Sequence, residues 1–215
     1  MDPEQWYPIY ESILEDFGYS REDDENTVRM LKAVTLNSDL HMGDDAAETM
    51  GDTVTVVGNA PCLERDLDEK GVAGTVICAG SAVGRLMARG IRPDIVFTDL
   101  DGDIEPQIRA SSEGAYTFIH AHGDNGELVS RYAGLFKGPV VLTTQSVPEY
   151  TVFNYGGFTD GDRAVCFAAH FGARDIRFVG FDYDNPMPKE GSDPEVKRRK
   201  LAWAKRIIIT VLGHA

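Results

Sequence analysis

Three carboxylates fall within a single short stretch, Thr98-Asp99-Leu100-Asp101-Gly102-Asp103. Anions packed that closely repel one another unless a positive charge sits among them. A divalent cation meets that need, and magnesium usually takes one or two carboxylates completed by substrate phosphates and water. Asp99 and Asp101 are the expected metal pair, and Asp101 and Asp103 are candidates for the chemical step. The plainer alternative is a solvated turn in which Asp103 caps a following helix.

A second polar stretch is His120-Ala121-His122-Gly123-Asp124-Asn125. His122 and Asp124 are suited to phosphate or metal, with Asp124 a candidate catalytic carboxylate. His120 reads equally well as the buried end of a strand, and Gly-Asp-Asn as an ordinary turn. No set of three or four ligands at zinc spacing is evident. Further on, Gly157-Phe158-Thr159-Asp160-Gly161-Asp162-Arg163-Ala164 leads into a helical run. Thr159, Asp160 and Gly161 can aim backbone N–H groups and a helix N-terminus at phosphate, and Arg163 adds a guanidinium. Here the alternative is an ordinary helix start with Asp160 or Asp162 as the cap.

Smaller signals complete the set. Gly58-Asn59-Ala60-Pro61 and Gly80-Ser81 permit close approach of backbone to a ligand, and Gly180-Phe181-Asp182-Tyr183-Asp184 adds a further acid at Asp182. Lys197-Arg198-Arg199-Lys200 is the dense basic cluster. On a helix, Lys197 and Lys200 share a face that Arg199 does not. That face is either solvated or turned toward phosphates.

The elements that must position these residues are legible in the hydropathy pattern. The first fifty residues are helix-like, with Ile9, Ile13, Leu14 and Phe17 at helical spacing and a second helix expected over 27–36. From Thr53 the runs TVTVVG, TVICAG, DIVFTD, YTFIHAH, PVVLTT and DIRFVGFD alternate with helical stretches near 81–89, 104–111 and 127–136. Most of these runs are apolar throughout, as strands buried on both faces of a parallel sheet are. A last helix is expected over 195–212. The expectation is a helical N-terminal segment over 1–50 and a doubly wound, mostly parallel α/β catalytic domain over 51–215. In such sheets ligands bind beyond the carboxyl ends of the strands, where Gly58–Pro61, Gly80-Ser81, Asp99–Asp103, His120–Asn125, Thr143-Thr144-Gln145 and Gly180–Asp182 fall.

Composition excludes several classes. With a formal charge of −14, non-specific binding to nucleic acid or to an anionic membrane is disfavoured. An anionic nucleotide carried with a metal is not. Acidic runs such as Glu22-Asp23-Asp24-Glu25 read as solvated faces. No apolar run spans a bilayer and the N-terminus lacks a secretory pattern, so the cytoplasm is expected. The three cysteines, Cys62, Cys78 and Cys166, are an odd, widely spaced set, and Cys78 reads as core. There is no Walker A motif, no dinucleotide fingerprint after a strand and no nucleophile elbow.

Taken in order, GNAPCL, TDLDGD, HAHGDN, GFTDGDRA and GFDYD resemble the archaeal 6-hydroxymethyl-7,8-dihydropterin diphosphokinases, the MptE-like family. The resemblance runs from about Thr53 to the C-terminus. It implies a fold related to the thiamine diphosphokinase catalytic domain, and ATP and the hydroxymethylpterin as substrates. It further implies AMP and the pterin diphosphate as products, Mg2+ as cofactor, and a place in tetrahydrofolate or methanopterin biosynthesis. The family's acidic motif falls on Asp99 and Asp101. Under this reading Phe181 or Tyr183 is expected to stack on the flat pterin ring, and a homodimer is a further expectation. The rivals are a thiamine-type diphosphokinase, a metal-dependent glycosyltransferase, and a regulatory module that binds ATP without turnover.

Overall fold

In the computed structural model, which describes residues 1–185, 187 and 193–213, two helices open the chain: α1 (Pro3–Phe17) and α2 (Arg21–Val34). Helix α1 starts on a capping box between Asp2 and Gln5 and stops at Gly18, whose left-handed φ of 67° ends the helix. Helix α2 begins earlier than the apolar pattern over 27–36 indicates. Glu22, Asp23 and Asp24 in its first turn suit the positive end of the helix dipole. One of them is not solvated: Asp24 is buried, in contrast to the exposed Glu22 and Asp23.

The remaining elements follow as β1 (Asp39–Leu40), α3 (Gly43–Ala47), β2 (Thr53–Val57), α4 (Leu63–Lys70), β3 (Thr75–Ala79), α5 (Val83–Ala88), β4 (Ile95–Thr98), α6 (Ile104–Ser112) and β5 (Tyr116–Ala121). Then come α7 (Gly126–Tyr132), β6 (Pro139–Thr144), β7 (Val152–Phe153), α8 (Asp160–His170), β8 (Asp175–Val179) and α9 (Pro194–Leu212). Each of the six apolar runs is a strand. The unforeseen α4 is short and mostly charged, with only Leu63 and Leu67 to mark a buried face.

The strands form one sheet in the order β1-β6-β5-β4-β3-β2-β8, with β7 also paired to β6, and every strand pair is parallel. Continuous apolar strands are explained by helices on both faces. Because side chains alternate along a strand, Val54, Val56, Ile77, Phe97, Phe118 and Val141 pack with Phe167 of α8 and Ile208 of α9. Their neighbours point the other way. Val57, Cys78 and Val96 meet Leu63, Leu67 and Leu86, while Ile119, Val140 and Leu142 meet Val28 and Leu31 of α2 and Val129 of α7. The N-terminal helices therefore cover part of the sheet. Parallel pairing puts all the strand-end turns on one edge.

Candidate active site

Along that carboxyl edge lies a cavity of about 640 Å³. From the β4 side it is lined by Asp99, Asp101 and Asp103, from β5 by His122 and Asp124, and from the start of α8 by Thr159, Asp160, Gly161 and Arg163. Gly58, Asn59, Ser81 and Asp182 complete the residues that the sequence placed at the site. Gly80 is the exception, because it lies behind the wall. It is buried, and a Cβ there would sit 2.6 Å from Thr98 Oγ1, so its smallness serves packing of β3 against β4. A similar constraint joins Gly58 to Gly180. Gly180 has φ 71°, and a Cβ on Gly58 would approach its carbonyl oxygen to 2.6 Å.

The acidic turn is held by a set of amides and hydroxyls. Buried Gln107 of α6 donates Nε2–H to the carbonyl oxygens of Asp101 and Asp103, both at 3.1 Å, and its Oε1 accepts from Thr98 Oγ1 at 2.6 Å. Thr98 Oγ1 accepts in turn from the Leu100 N–H at 2.8 Å. Asn125 donates to the carbonyls of Asp99 at 2.9 Å and His120 at 2.7 Å, tying the β5 loop to the β4 turn. Between the two acids, buried Leu100 adopts φ 66°, a left-handed conformation that L residues with a Cβ avoid. Strain of this kind is kept where the surroundings over-determine it, as they do here. Asp103 occupies the N-cap position of α6, yet its side chain makes no capping bond.

At the start of α8 the cap is Thr159, and neither Asp160 nor Asp162 takes that role. Asp162 folds back to accept from the N–H groups of Phe158 at 2.6 Å and Thr159 at 2.8 Å. Arg163 is buried, with Nη1 donating to Asp160 Oδ1 at 3.1 Å and Nη2 to the Phe158 carbonyl at 2.6 Å. Its Nε is buried without a partner among the described residues.

The electrostatics follow from this crowding. Burial works against charge on Asp99, but the hydrogen bond and charge of His122, with the charge of Arg163, hold its carboxyl below the usual range. Asp160 goes the other way: burial and then the charge of Asp99 push its carboxyl well above the usual range, against the pull of Arg163. Buried His120, bonded through Nδ1 to Thr143 Oγ1 at 3.0 Å, is held well below the usual imidazole range by burial and by nearby Arg163 and His122. It is the buried end of β5 and does not line the cavity.

Among the described residues no three His, Cys, Asp or Glu side chains converge as a preformed metal cage. Magnesium needs no such cage, since it is commonly held by one or two carboxylates and by substrate phosphates. Asp99 and Asp101 line the cavity with Asp160 beside them, an arrangement of carboxylates with room for phosphate and water on the open side. Asp99 and Asp101 therefore fit a magnesium ion brought in on phosphates.

Several lining groups were not legible as such. Tyr19, between α1 and α2, walls the cavity, and its hydroxyl pKa is pushed up to about 12 by burial and by Asp124. Gln145, by contrast, belongs to the strand-end stretch Thr143-Thr144-Gln145, which the sequence places at the ligand-binding edge, and just past β6 it lines the cavity. Of the basic cluster, Lys197 and Lys200 face the cavity, whereas Arg198 pairs with Glu195 at 2.7 Å and Arg199 with Asp16 at 2.9 Å. Lys200 Nζ stands 5.6 Å from the ring centres of both Tyr19 and Phe158. Asp182 lies at the cavity and accepts from the Asp184 and Asn185 N–H groups at 3.0 Å, bracing its own turn. The stretch after Asp184, with Asn185, Pro186 and Pro188, reads in the sequence either as a cover for the site or as a plain connection, and Pro186 and Pro188 lie outside the described residues.

Residues 25–187 match the family described as 6-hydroxymethylpterin diphosphokinase MptE-like. Curated proteins named 6-hydroxymethyl-7,8-dihydropterin pyrophosphokinase are similar over nearly the whole chain. The one from Methanothermobacter thermautotrophicus is 39% identical, covering 97% of this chain and 94% of its own. The Pyrococcus furiosus protein is 37% identical over 95% of this chain and 87% of its own. That from Methanocaldococcus jannaschii is 31% identical over 97% and 95%.

Proposed function

Because the chain belongs to the MptE-like family of 6-hydroxymethylpterin diphosphokinases, we propose that it moves a diphosphate from ATP onto the hydroxymethyl group of 6-hydroxymethyl-7,8-dihydropterin, releasing AMP. The same reading places the step in the making of a tetrahydrofolate- or methanopterin-type cofactor, in the cytoplasm. Among the described residues, no helix is long and apolar enough to cross a membrane. The structural observation that carries the proposal is the charge pattern of the cavity. An acidic pair on the β4 turn shares it with the buried Arg163 guanidinium and the N-terminus of α8.

Phosphoryl chemistry asks mainly for positioning and charge neutralisation. Asp99 and Asp101 would hold magnesium, which neutralises the developing charge on the phosphates when bound. Arg163 and the N–H groups around Gly161 steady the diphosphate being moved. The pterin hydroxyl oxygen attacks the β-phosphorus in line. A new P–O bond forms, the bond to the α-phosphate oxygen breaks, and AMP departs with that electron pair. Asp103 and Asp124, both exposed and lining the cavity, are the candidates to receive the hydroxyl proton. Lys197 and Lys200 supply positive charge in a chain otherwise short of it.

Incubation with ATP, magnesium and 6-hydroxymethyl-7,8-dihydropterin, followed by mass-resolved chromatography, tests this directly. AMP and pterin diphosphate are expected to appear together and to vanish with EDTA. Turnover of thiamine or of a nucleotide-sugar in place of the pterin would overturn the substrate assignment.

A further inference from the structure

Gln145 lines the cavity although only 2% of its surface is exposed. Its backbone carbonyl accepts from Trp6 Nε1 at 2.8 Å and from Asn154 Nδ2 at 3.0 Å, so its position is fixed from two sides. Its side-chain Nε2 donates to Asp24 Oδ2 at 2.9 Å. Asp24 is equally buried, and it also accepts from the Tyr10 hydroxyl at 2.6 Å and from the Gly123 N–H at 2.7 Å. Asp24 accepts from all three partners, so the amide turns its NH2 toward Asp24. Oε1 is then the end left for a ligand. No described residue donates to it, and it is not among the sealed orphan atoms.

We infer that Gln145 is a specificity-determining residue whose Oε1 accepts a hydrogen bond from the 2-amino group of the pterin, and that Asp24 is the positioning residue that fixes the amide in this orientation. The inference rests on the diphosphokinase reading and extends it. Sheet order selects the pterin over the adenine. The strand of Gln145, β6, lies two places from β4, which carries Asp99 and Asp101 at its end. Two strand spacings are ~10 Å, the scale of the two fused rings that separate a pterin's hydroxymethyl carbon from its 2-amino group. With the hydroxyl at the acidic pair, the amino group comes to β6. The opposite flank, past β2 and β8, carries Phe181 and Tyr183 and is left for the adenine of ATP. This reassigns the aromatic pair from the pterin to the nucleotide. A buried site built to bond an N–H group rejects analogues that lack it, because its own acceptor is then left unpaired.

The test compares 6-hydroxymethyl-7,8-dihydropterin with its 2-deamino analogue, using the full-length protein and the near-isosteric Gln145→Met. The wild type is expected to prefer the amino compound by about tenfold or more in kcat/KM, chiefly through KM. Q145M is expected to shrink that preference to within about twofold, leaving the KM for ATP within about twofold of wild type. Asp24→Asn frees the amide to flip and is expected to lose part of the same preference. Equal use of both pterins by the wild type overturns the assignment, as does a Q145M enzyme that keeps the full preference. So does a Q145M effect that falls on ATP. If Q145M does not fold, Asp24→Asn carries the variant arm, and a D24N enzyme that keeps the full wild-type preference overturns the assignment. Absence of any pterin turnover by the wild type would instead bring down the diphosphokinase reading, and this inference with it.

Discussion

His122 Nε2 lies 3.7 Å from Asp99 Oδ2, so the loop after β5 supports the acidic turn after β4. The contact helps keep Asp99 ionised despite its burial. Groups that orient a metal-binding carboxylate matter nearly as much as the carboxylate. Their loss costs about 10–100-fold in metal affinity or activity. His122→Ala is expected to raise the magnesium concentration needed for half-maximal rate by a factor in that range. A magnesium titration at saturating ATP checks this, and an unchanged midpoint would count against the role given to His122.

Asp101→Asn removes one of the two carboxylates expected to hold the metal while keeping side-chain volume. Activity should fall by roughly a hundredfold or more, equivalent to at least ~2.7 kcal/mol of lost transition-state stabilisation. The circular dichroism spectrum and melting temperature should stay near wild type. Near-normal turnover would remove Asp101 from the mechanism.

Gln107 never touches the cavity, yet its amide bonds both ends of the acidic turn. Gln107→Leu leaves the carbonyl oxygens of Asp101 and Asp103 and the Thr98 hydroxyl without that partner. Of these only the Thr98 hydroxyl belongs to a buried residue, and stranding a buried polar group costs about 1–3 kcal/mol. The turn also loses the restraint that holds Leu100 in its left-handed conformation. A lower melting temperature together with a lower kcat is expected. Lower stability with full kcat would mean that the turn keeps its shape without the clamp.

Asp66 of α4 gives a pH signature away from the chemistry. Its carboxylate accepts from the Gly180 N–H at 3.1 Å and pairs with Lys70 at 3.1 Å. Burial opposes its charge, but these partners win and hold its carboxyl below the usual range. A group whose folded pKa is depressed stabilises the fold above its unfolded value of about 3.9, and that contribution is lost as pH falls through the folded value. Urea midpoints measured from pH 7 down to pH 3 should therefore drop more steeply for wild type than for Asp66→Asn. Parallel curves would show that Asp66 adds nothing to acid sensitivity.

Much of the fold was legible. The six β runs and the last helix follow from apolar periodicity, because burial on both sheet faces writes itself directly into residue type. Charged α4 and the two-residue strands β1 and β7 carry too few apolar positions to leave such a mark. The acidic turn, the β5 loop and the start of α8 were legible as site material, since their small, polar and acidic residues each follow a strand or open a helix. By itself, then, the sequence determined the class of fold, the chemistry on offer and the edge where it had to gather.

Which residues meet was decided by tertiary structure alone. Asp24 looked like one member of a solvated acidic run. Packing of α2 against β5 and β6 sinks it beside Gln145, more than a hundred residues away in the chain. Lys200 reaches the cavity and Arg199 does not, because α9 packs against α8 and turns another face toward α1. Gly80 was expected at the cavity and lies behind its wall, because its neighbour across the sheet is Thr98. Contacts of this kind depend on sheet order and helix rotation. Local periodicity cannot encode either, because both are set by how the buried faces of distant elements fit together.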